Sequence, residues 1–242
     1  MISKAIIKDI QNLAHREARV AQGLFLAEGI KWAEELLLHA RHQIHAVYAL
    51  KNWIDRYASQ LSGIPVQEVD EVLLGRLSQQ KTPQEVLIVV KQFSRTLQPF
   101  RGGIHLVLST IQDPGNLGTI IRTADWFGVK QILCSSDCAD PYHPKVVQAS
   151  MGSLIRMAVI QTSLPQWLLQ QKDVRKWAAV LNGADYASAG GEGILMMGNE
   201  SKGLSQELIE LATDPITIPQ VGGAESLNVS VATGILLAQL SR

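Results

Sequence analysis

Two hydrophobic rhythms alternate along the chain. Short apolar runs such as GLFLAEG, IHAVYAL, EVLIVVKQF and IHLVLST are rich in Leu, Val and Ile, and their brevity predicts strands. Between them, IKWAEELLLHA, KNWIDRYASQL and VDEVLLGRLSQ carry apolar residues at helical spacing. The first part of the chain therefore reads as a polar helix over 3–14, a strand over 23–29, a helix over 30–40 and a strand over 44–50. Helices over 51–61 and 69–79 and a buried strand over 85–93 complete it.

RTLQPFRGG, residues 95–103, has a Pro, two Gly and no period, and is the expected linker. It divides a small α/β domain, 1–98, from a second domain, 104–242. In the second, strands are expected over 104–109, 131–135, 156–160, 176–181, 194–198 and 216–219, with helices between most of them. That alternation predicts an α/β fold with a mostly parallel sheet covered on both faces. The last helical pattern, ESLNVSVATGILLAQL, is apolar on nearly every side beyond its first turn, which suits a core or a subunit interface.

Composition narrows the picture. The 242 residues, 46% hydrophobic and 18% charged, suffice for one large or two modest domains. No apolar run has the length of a membrane span, and Lys4, Lys8 and Asp9 interrupt the start too early for a secretory signal, so the expected compartment is the cytoplasm. Cys134 and Cys138 make no disulfide framework and read as buried free thiols. Charge is balanced, with 12 Lys and Arg against 10 Asp and Glu over residues 1–98 and 10 against 12 over 99–242. Contact with nucleic acid should therefore be local or shared between subunits, because a nonspecific binder carries a larger basic excess.

Familiar catalytic patterns are missing. The sequence has no G-x-x-x-x-G-K-[ST], no G-x-G-x-x-G, no G-x-S-x-G and no H-E-x-x-H, which disfavours a triphosphatase, a dinucleotide enzyme, a serine hydrolase and a metal centre. Ligands of a parallel sheet bind where strands run out into loops. Three such loops hold Gly beside Asn, Ser, Glu or Arg: STIQDPGNLGTIIRTA, LMMGNESKGLS and IPQVGGAESLNVSVA. Read singly, Asn116 is a turn or cap residue, Arg122 a solvated helix residue, Glu200 a turn residue and Ser226 a cap for the last helix.

Read together, they resemble a known family. DPGNLGTIIRTADWFGV is similar to motif one of the SpoU/TrmH branch of the SPOUT RNA methyltransferases, GNESKGLS to motif two and IPQVGGAESLNVSVATGILL to motif three, in the right order. ASMGSLIRM between the first two also suits the family. The resemblance covers 104–242; residues 1–98 more loosely resemble the small α/β domain with which many members hold RNA.

The resemblance implies a homodimer that transfers a methyl group from S-adenosylmethionine to a ribose 2′-hydroxyl of RNA, with residues of both chains in each active site. It also implies a deep trefoil knot in the catalytic domain, which ordinary connection rules would never suggest. Ribosomal RNA is the expected substrate, because transfer-RNA members often carry short basic extensions; transfer RNA, or a noncatalytic RNA-binding role, are the alternatives. The catalytic positions it implies are Asn116, Arg122, Glu200, Ser226 and Asn228. Cofactor contacts fall on Met197, Gly198, Asn199, Gly203, Ile218, Pro219, Ser226 and Leu227, with no metal. A guanidinium is no ordinary base, so Arg122 is expected to hold a phosphate and stabilise the developing alkoxide. Lys4, Lys8, Arg16 and Arg19 are the expected basic edge for RNA in the first domain.

Overall fold

The computed structural model describes residues 2–242. The chain first forms α1 (Lys4–Asn12), α2 (Arg16–Gln22), β1 (Leu24–Glu28), α3 (Ile30–His39), β2 (Ile44–Ala49), α4 (Lys51–Tyr57), β3 (Val66–Glu68), α5 (Glu71–Leu77) and β4 (Val86–Lys91). It continues through β5 (Ile104–Leu108), α6 (Pro114–Trp126), β6 (Ile132–Cys134), α7 (Pro144–Ser150), β7 (Val159–Gln161) and α8 (Leu164–Gln170). The remaining elements are β8 (Lys176–Asp185), β9 (Gly193–Met197), α9 (Gln206–Glu210), β10 (Asp214–Thr217) and α10 (Val229–Leu240). No helix among the described residues is long and apolar enough to cross a membrane.

These elements form two compact units. The first joins the chain up to Ser94 with Tyr142–Ile155. Its sheet has the order β1-β4-β2-β3, antiparallel except for the β2/β3 pair. β4 reads VLIVVK and is buried everywhere but its last residue, as the continuous apolar run requires of a strand covered on both faces. Ile10, Leu13, Leu26, Leu74, Leu77, Leu87 and Val89 pack one core beside it. The segment 142–155, within the stretch expected for the second domain, packs with this unit. The Trp32 indole N–H donates to the Val147 carbonyl at 2.8 Å, and the Tyr142 ring packs tilted against Phe25 with centroids 4.9 Å apart. Sequence pattern alone also left the three-residue β3 and the helix α2 unassigned.

Arg19 overturns part of the expected basic edge. Its side chain is only 1% exposed, and its guanidinium donates to the carbonyls of Leu13 and Ala14 at 2.9 and 2.8 Å. It satisfies acceptors left open at the end of α1 and is closed to an RNA ligand. Lys4 and Lys8, one turn apart on α1, and Arg16 on α2 are exposed.

The second unit comprises Arg95–Pro141 and Arg156–Arg242. Its six strands are all parallel, in the order β10-β8-β9-β5-β6-β7. β5 and β9 are buried at every residue, which matches their apolar sequences IHLVL and GILMM. β8 is longer than its pattern suggested, and β7 begins later. The expected linker is ordered against this unit: the Gln131 amide donates to the Gln98 carbonyl at 2.7 Å, Gln98 N–H returns a bond to Gln131 Oε1, and Phe100 packs beside His105. Chain order reverses between β5 and β9, so a crevice opens beyond their carboxyl ends.

Candidate active site

The loop leaving β5 enters α6 through a capped turn. Asp113 is the N-cap, its carboxylate accepting the Asn116 N–H at 2.8 Å, and Pro114 takes the first helical position. Asn116 is thus released from capping, and its side chain faces the other loops. Arg122 lies farther along α6, is exposed, and has no ion-pair or hydrogen-bond partner among the described residues.

The loop leaving β9 closes on itself. Asn199 and Gly203 exchange backbone hydrogen bonds, and Asn199 Oδ1 accepts from the N–H groups of Ser201 and Lys202. Gly203 stands at φ +68°, where a Cβ is penalised. Gly198 serves a different need: a Cβ there would lie 2.2 Å from the carbonyl carbon of Gly203. The close approach allowed by Gly198 is to the turn's own backbone.

The three loops converge on one oxygen. Glu200 Oε1 accepts from Asn116 Nδ2 at 3.0 Å, from Asn228 Nδ2 at 2.7 Å and from the Val229 N–H at 3.1 Å. Asn228 also donates to Asn116 Oδ1 at 2.9 Å. Asn228, not Ser226, caps α10, its side-chain oxygen accepting from the N–H groups of Ser230 and Val231. A carboxylate at the start of a helix is also favoured by the helix dipole. Ser226 keeps its hydroxyl free of this cap.

Beside this knot of hydrogen bonds lies a cavity of about 600 Å³. Its walls are the 197–204 turn, the 216–227 segment, Leu181 of β8, and Val229 and Leu236 of α10. All eight expected cofactor positions line it: Met197, Gly198, Asn199, Gly203, Ile218, Pro219, Ser226 and Leu227. Glu200 lines it too, whereas Asn116, Arg122 and Asn228 stand outside the lining. Lys4, Lys8 and Arg16 belong to the first unit and contribute nothing to this wall. The N–H groups of residues 220–227 enter no hydrogen bond among the described residues, while Gln220 Nε2 ties the carbonyls of Gly222 and Ala224.

Sequence reasoning missed a support beneath the Glu200 turn. Thr110 sits at φ +60°, a conformation costing a β-branched residue about 1–3 kcal/mol. Its N–H donates to Ser135 Oγ and its hydroxyl to Asp137 Oδ2, both at 2.9 Å, and its carbonyl accepts from Asn199 Nδ2 at 3.0 Å. The hydroxyl of Ser135, and then that of Thr110, hold the Asp137 carboxyl below its ordinary range. Next to them Cys138 accepts from the Ile111 N–H and donates to the Leu108 carbonyl. Both thiols are buried; their mutual interaction lowers the Cys138 thiol and, together with burial, raises that of Cys134. No glycine marks position 110, so nothing in STIQDP signals its positive φ.

Comparison with known proteins divides the chain at the 95–103 linker. A family model described as the SpoU rRNA Methylase family matches residues 103–238, and one described as the MRM3-like substrate binding domain matches 4–88. The chain is 30% identical to the 23S rRNA (guanosine(2553)-2′-O)-methyltransferase RlmP of Bacillus subtilis, over 97% of this chain and 95% of the relative. Its fold is similar to that of the AdoMet-bound rRNA methyltransferase of Sinorhizobium meliloti, with TM-score 0.86, 31% identity, and coverage of 99% and 95%. It is likewise similar to AviRb of Streptomyces viridochromogenes in complex with AdoMet, with TM-score 0.87, 25% identity, and coverage of 99% and 97%.

Proposed function

We propose how this site works from one premise: the chain belongs to the SpoU rRNA methylase family and is an S-adenosylmethionine-dependent RNA ribose 2′-O-methyltransferase. Ribosomal RNA is the favoured substrate, the relatives RlmP and RlmB and a uridine 2′-O-methyltransferase of Streptomyces viridochromogenes being named for 23S rRNA. The observation that carries the assignment of residues is the meeting of Asn116, Asn228 and Val229 on Glu200 at the edge of the cavity.

The cavity fits the cofactor on three counts. Its volume of about 600 Å³ lies within the range of small-molecule sites, roughly 300–1,000 Å³. Leu181, Ile216, Ile218 and Leu227 offer apolar surface, and the unpaired N–H groups of 220–227 offer donors. Met197, Gly198, Asn199, Gly203, Ile218, Pro219, Ser226 and Leu227 would hold S-adenosylmethionine, which when bound supplies an electrophilic methyl group. The chain's own work is to place a weakly acidic hydroxyl. Arg122, an unpaired cation, binds the backbone phosphate of the target and stabilises the oxygen as it loses its proton. Asn116, Glu200 and Asn228 form a fixed frame, and Ser226 supplies a free hydroxyl to the substrate side.

The enzyme acts as a homodimer in the cytoplasm, and its catalytic unit carries the trefoil knot of the family. Trp126 on α6 is 85% exposed and Val231 on the adjacent α10 is 52% exposed, apolar surface that a second copy would cover. Trp126→Asp should shift the mass measured by light scattering from dimer to monomer; an unchanged dimer removes this face from the interface. Exposed Lys4, Lys8 and Arg16 remain the proposed RNA edge.

Arg122→Ala is the direct test. It should bind S-adenosylmethionine in calorimetry as the parent does and lose methyl transfer by at least about a hundredfold, the scale of one electrostatic stabiliser. Retained transfer defeats the role given to Arg122.

A further inference from the structure

The support beneath the Glu200 turn has a function of its own, which rests on the methyltransferase reading above. We propose that Asp137 is a positioning residue for methyl transfer: it holds Thr110 in the left-handed conformation from which the Thr110 carbonyl fixes Asn199 and, through that turn, Glu200.

Each link is a hydrogen bond. Asp137 Oδ2 accepts from the Thr110 hydroxyl at 2.9 Å, and Asp137 Oδ1 accepts from Ser135 Oγ, which itself accepts the Thr110 N–H. Thr110 is gripped at its amide and at its side chain, and its carbonyl is thereby aimed at Asn199 Nδ2, 3.0 Å away. The same loop grips the next residue: Ala139 N–H donates to the Ile111 carbonyl at 2.8 Å. Asn199 then organises its turn through Ser201, Lys202 and Gly203, and the turn carries Glu200 to Asn116 and Asn228.

The physical reason for the device lies in Thr110. A β-branched residue left to itself leaves the positive-φ region, and relaxation would swing its carbonyl away from Asn199. Glycine would hold the conformation without help. Asp137 is exposed and lies outside the cavity lining, and the route from it to the Glu200 turn runs through Thr110.

The test combines kinetics with hydrogen exchange. Asp137→Ala should lower kcat on an unmodified 23S ribosomal RNA transcript about tenfold, leave KM within about twofold, and speed amide exchange across residues 199–203. Asp137→Asn, which keeps one acceptor, should recover most of the rate. Thr110→Val removes the hydroxyl but keeps the demand for positive φ, so it should reproduce the alanine effect and add nothing to it; it also serves if Asp137→Ala does not fold. In a Thr110→Gly background, Asp137→Ala should change kcat by less than about twofold. Full activity of Asp137→Ala, or an undiminished tenfold loss in the glycine background, overturns the proposal. If the parent protein neither binds S-adenosylmethionine nor methylates the transcript, the methyltransferase reading fails instead. Exchange at 199–203 still reports on Asp137 in that case.

Discussion

The two walls of the cavity are built on opposite plans. The 197–204 turn is closed: its amides pair with one another, Asn199 bonds backbone on both sides, and Gly198 lies against Gly203 with no room for a methyl group. The 220–227 segment is open: its N–H groups are unpaired, Val221 is fully exposed, and a Cβ on Gly222 or Gly223 would meet nothing within 4 Å. Both walls are glycine-bearing loops after parallel strands, yet glycine does different work in each. In the closed wall it permits the chain to touch itself; in the open wall it leaves backbone available to a ligand. A rigid wall that fixes geometry thus faces a wall with unsatisfied donors, an arrangement suited to holding reacting groups still while gripping a cofactor by its edges.

The largest effect expected is on the closed wall. Gly198→Ala drives a methyl group to 2.2 Å from backbone that cannot move aside as a flexible side chain would. The cost should be about 3 kcal/mol, at the top of the usual range for overpacking, and Tm should fall by about 6–12 °C in a domain of this size. Cofactor affinity falls with it. Calorimetric unfolding checks this, and a Tm within a degree or two of the parent would show that the turn is not closed as described. The same clash makes a bulky residue at 198 a poor probe of the cofactor, since it would break the turn before it filled the cavity.

Less was legible in sequence about this contrast than about the fold. Apolar runs such as VLIVVK and IHLVL reported their strands directly, because burial on both faces leaves a continuous signature. The three polar loops could be picked out because Gly, Asn, Glu and Ser crowd together there. That Asn116, Glu200 and Asn228 share hydrogen bonds needed the fold, since residues 84 and 112 positions apart meet only through sheet order. Read singly, Asn116 and Ser226 were candidate caps, but Asp113 and Asn228 are the residues that cap α6 and α10. Asx residues near one helix start compete for its free N–H groups, and spacing alone does not decide which wins. That the 142–155 segment packs with the first unit was not legible, because membership of a core is a nonlocal property: its helix pattern is the same whichever unit it packs against.

A middle-sized effect tests the join between the walls. Glu200→Ala removes the acceptor shared by Asn116, Asn228 and the Val229 N–H. Glu200 and Asn228 are exposed, Asn116 is half-buried and Val229 is buried, so the stability cost should be about 1 kcal/mol, visible as a small drop in Tm. Methyl transfer should fall more than stability, about tenfold or greater, because the loops lose their common anchor while the protein stays folded. If Glu200→Ala keeps its full rate, the shared carboxylate is scaffolding for α10 alone.

The smallest effect belongs to the open wall and decides whether the contrast is functional. Gly222→Ala meets no neighbour, and its φ lies outside the left-handed region, so the substitution should leave the free energy of unfolding within about 0.5 kcal/mol of the parent, with Tm nearly unchanged. It should even be slightly stabilising, because alanine restricts the unfolded chain. Affinity for S-adenosylmethionine is the sensitive readout: a side chain added where backbone faces the ligand should weaken binding severalfold while stability holds. Gly198→Ala and Gly222→Ala are the same chemical change on facing walls. Loss of stability in the first and loss of affinity alone in the second would assign rigidity to one wall and recognition to the other. Equal losses of Tm in both would mean that the 220–227 segment is packed in solution, and that its N–H groups are already engaged before any cofactor arrives.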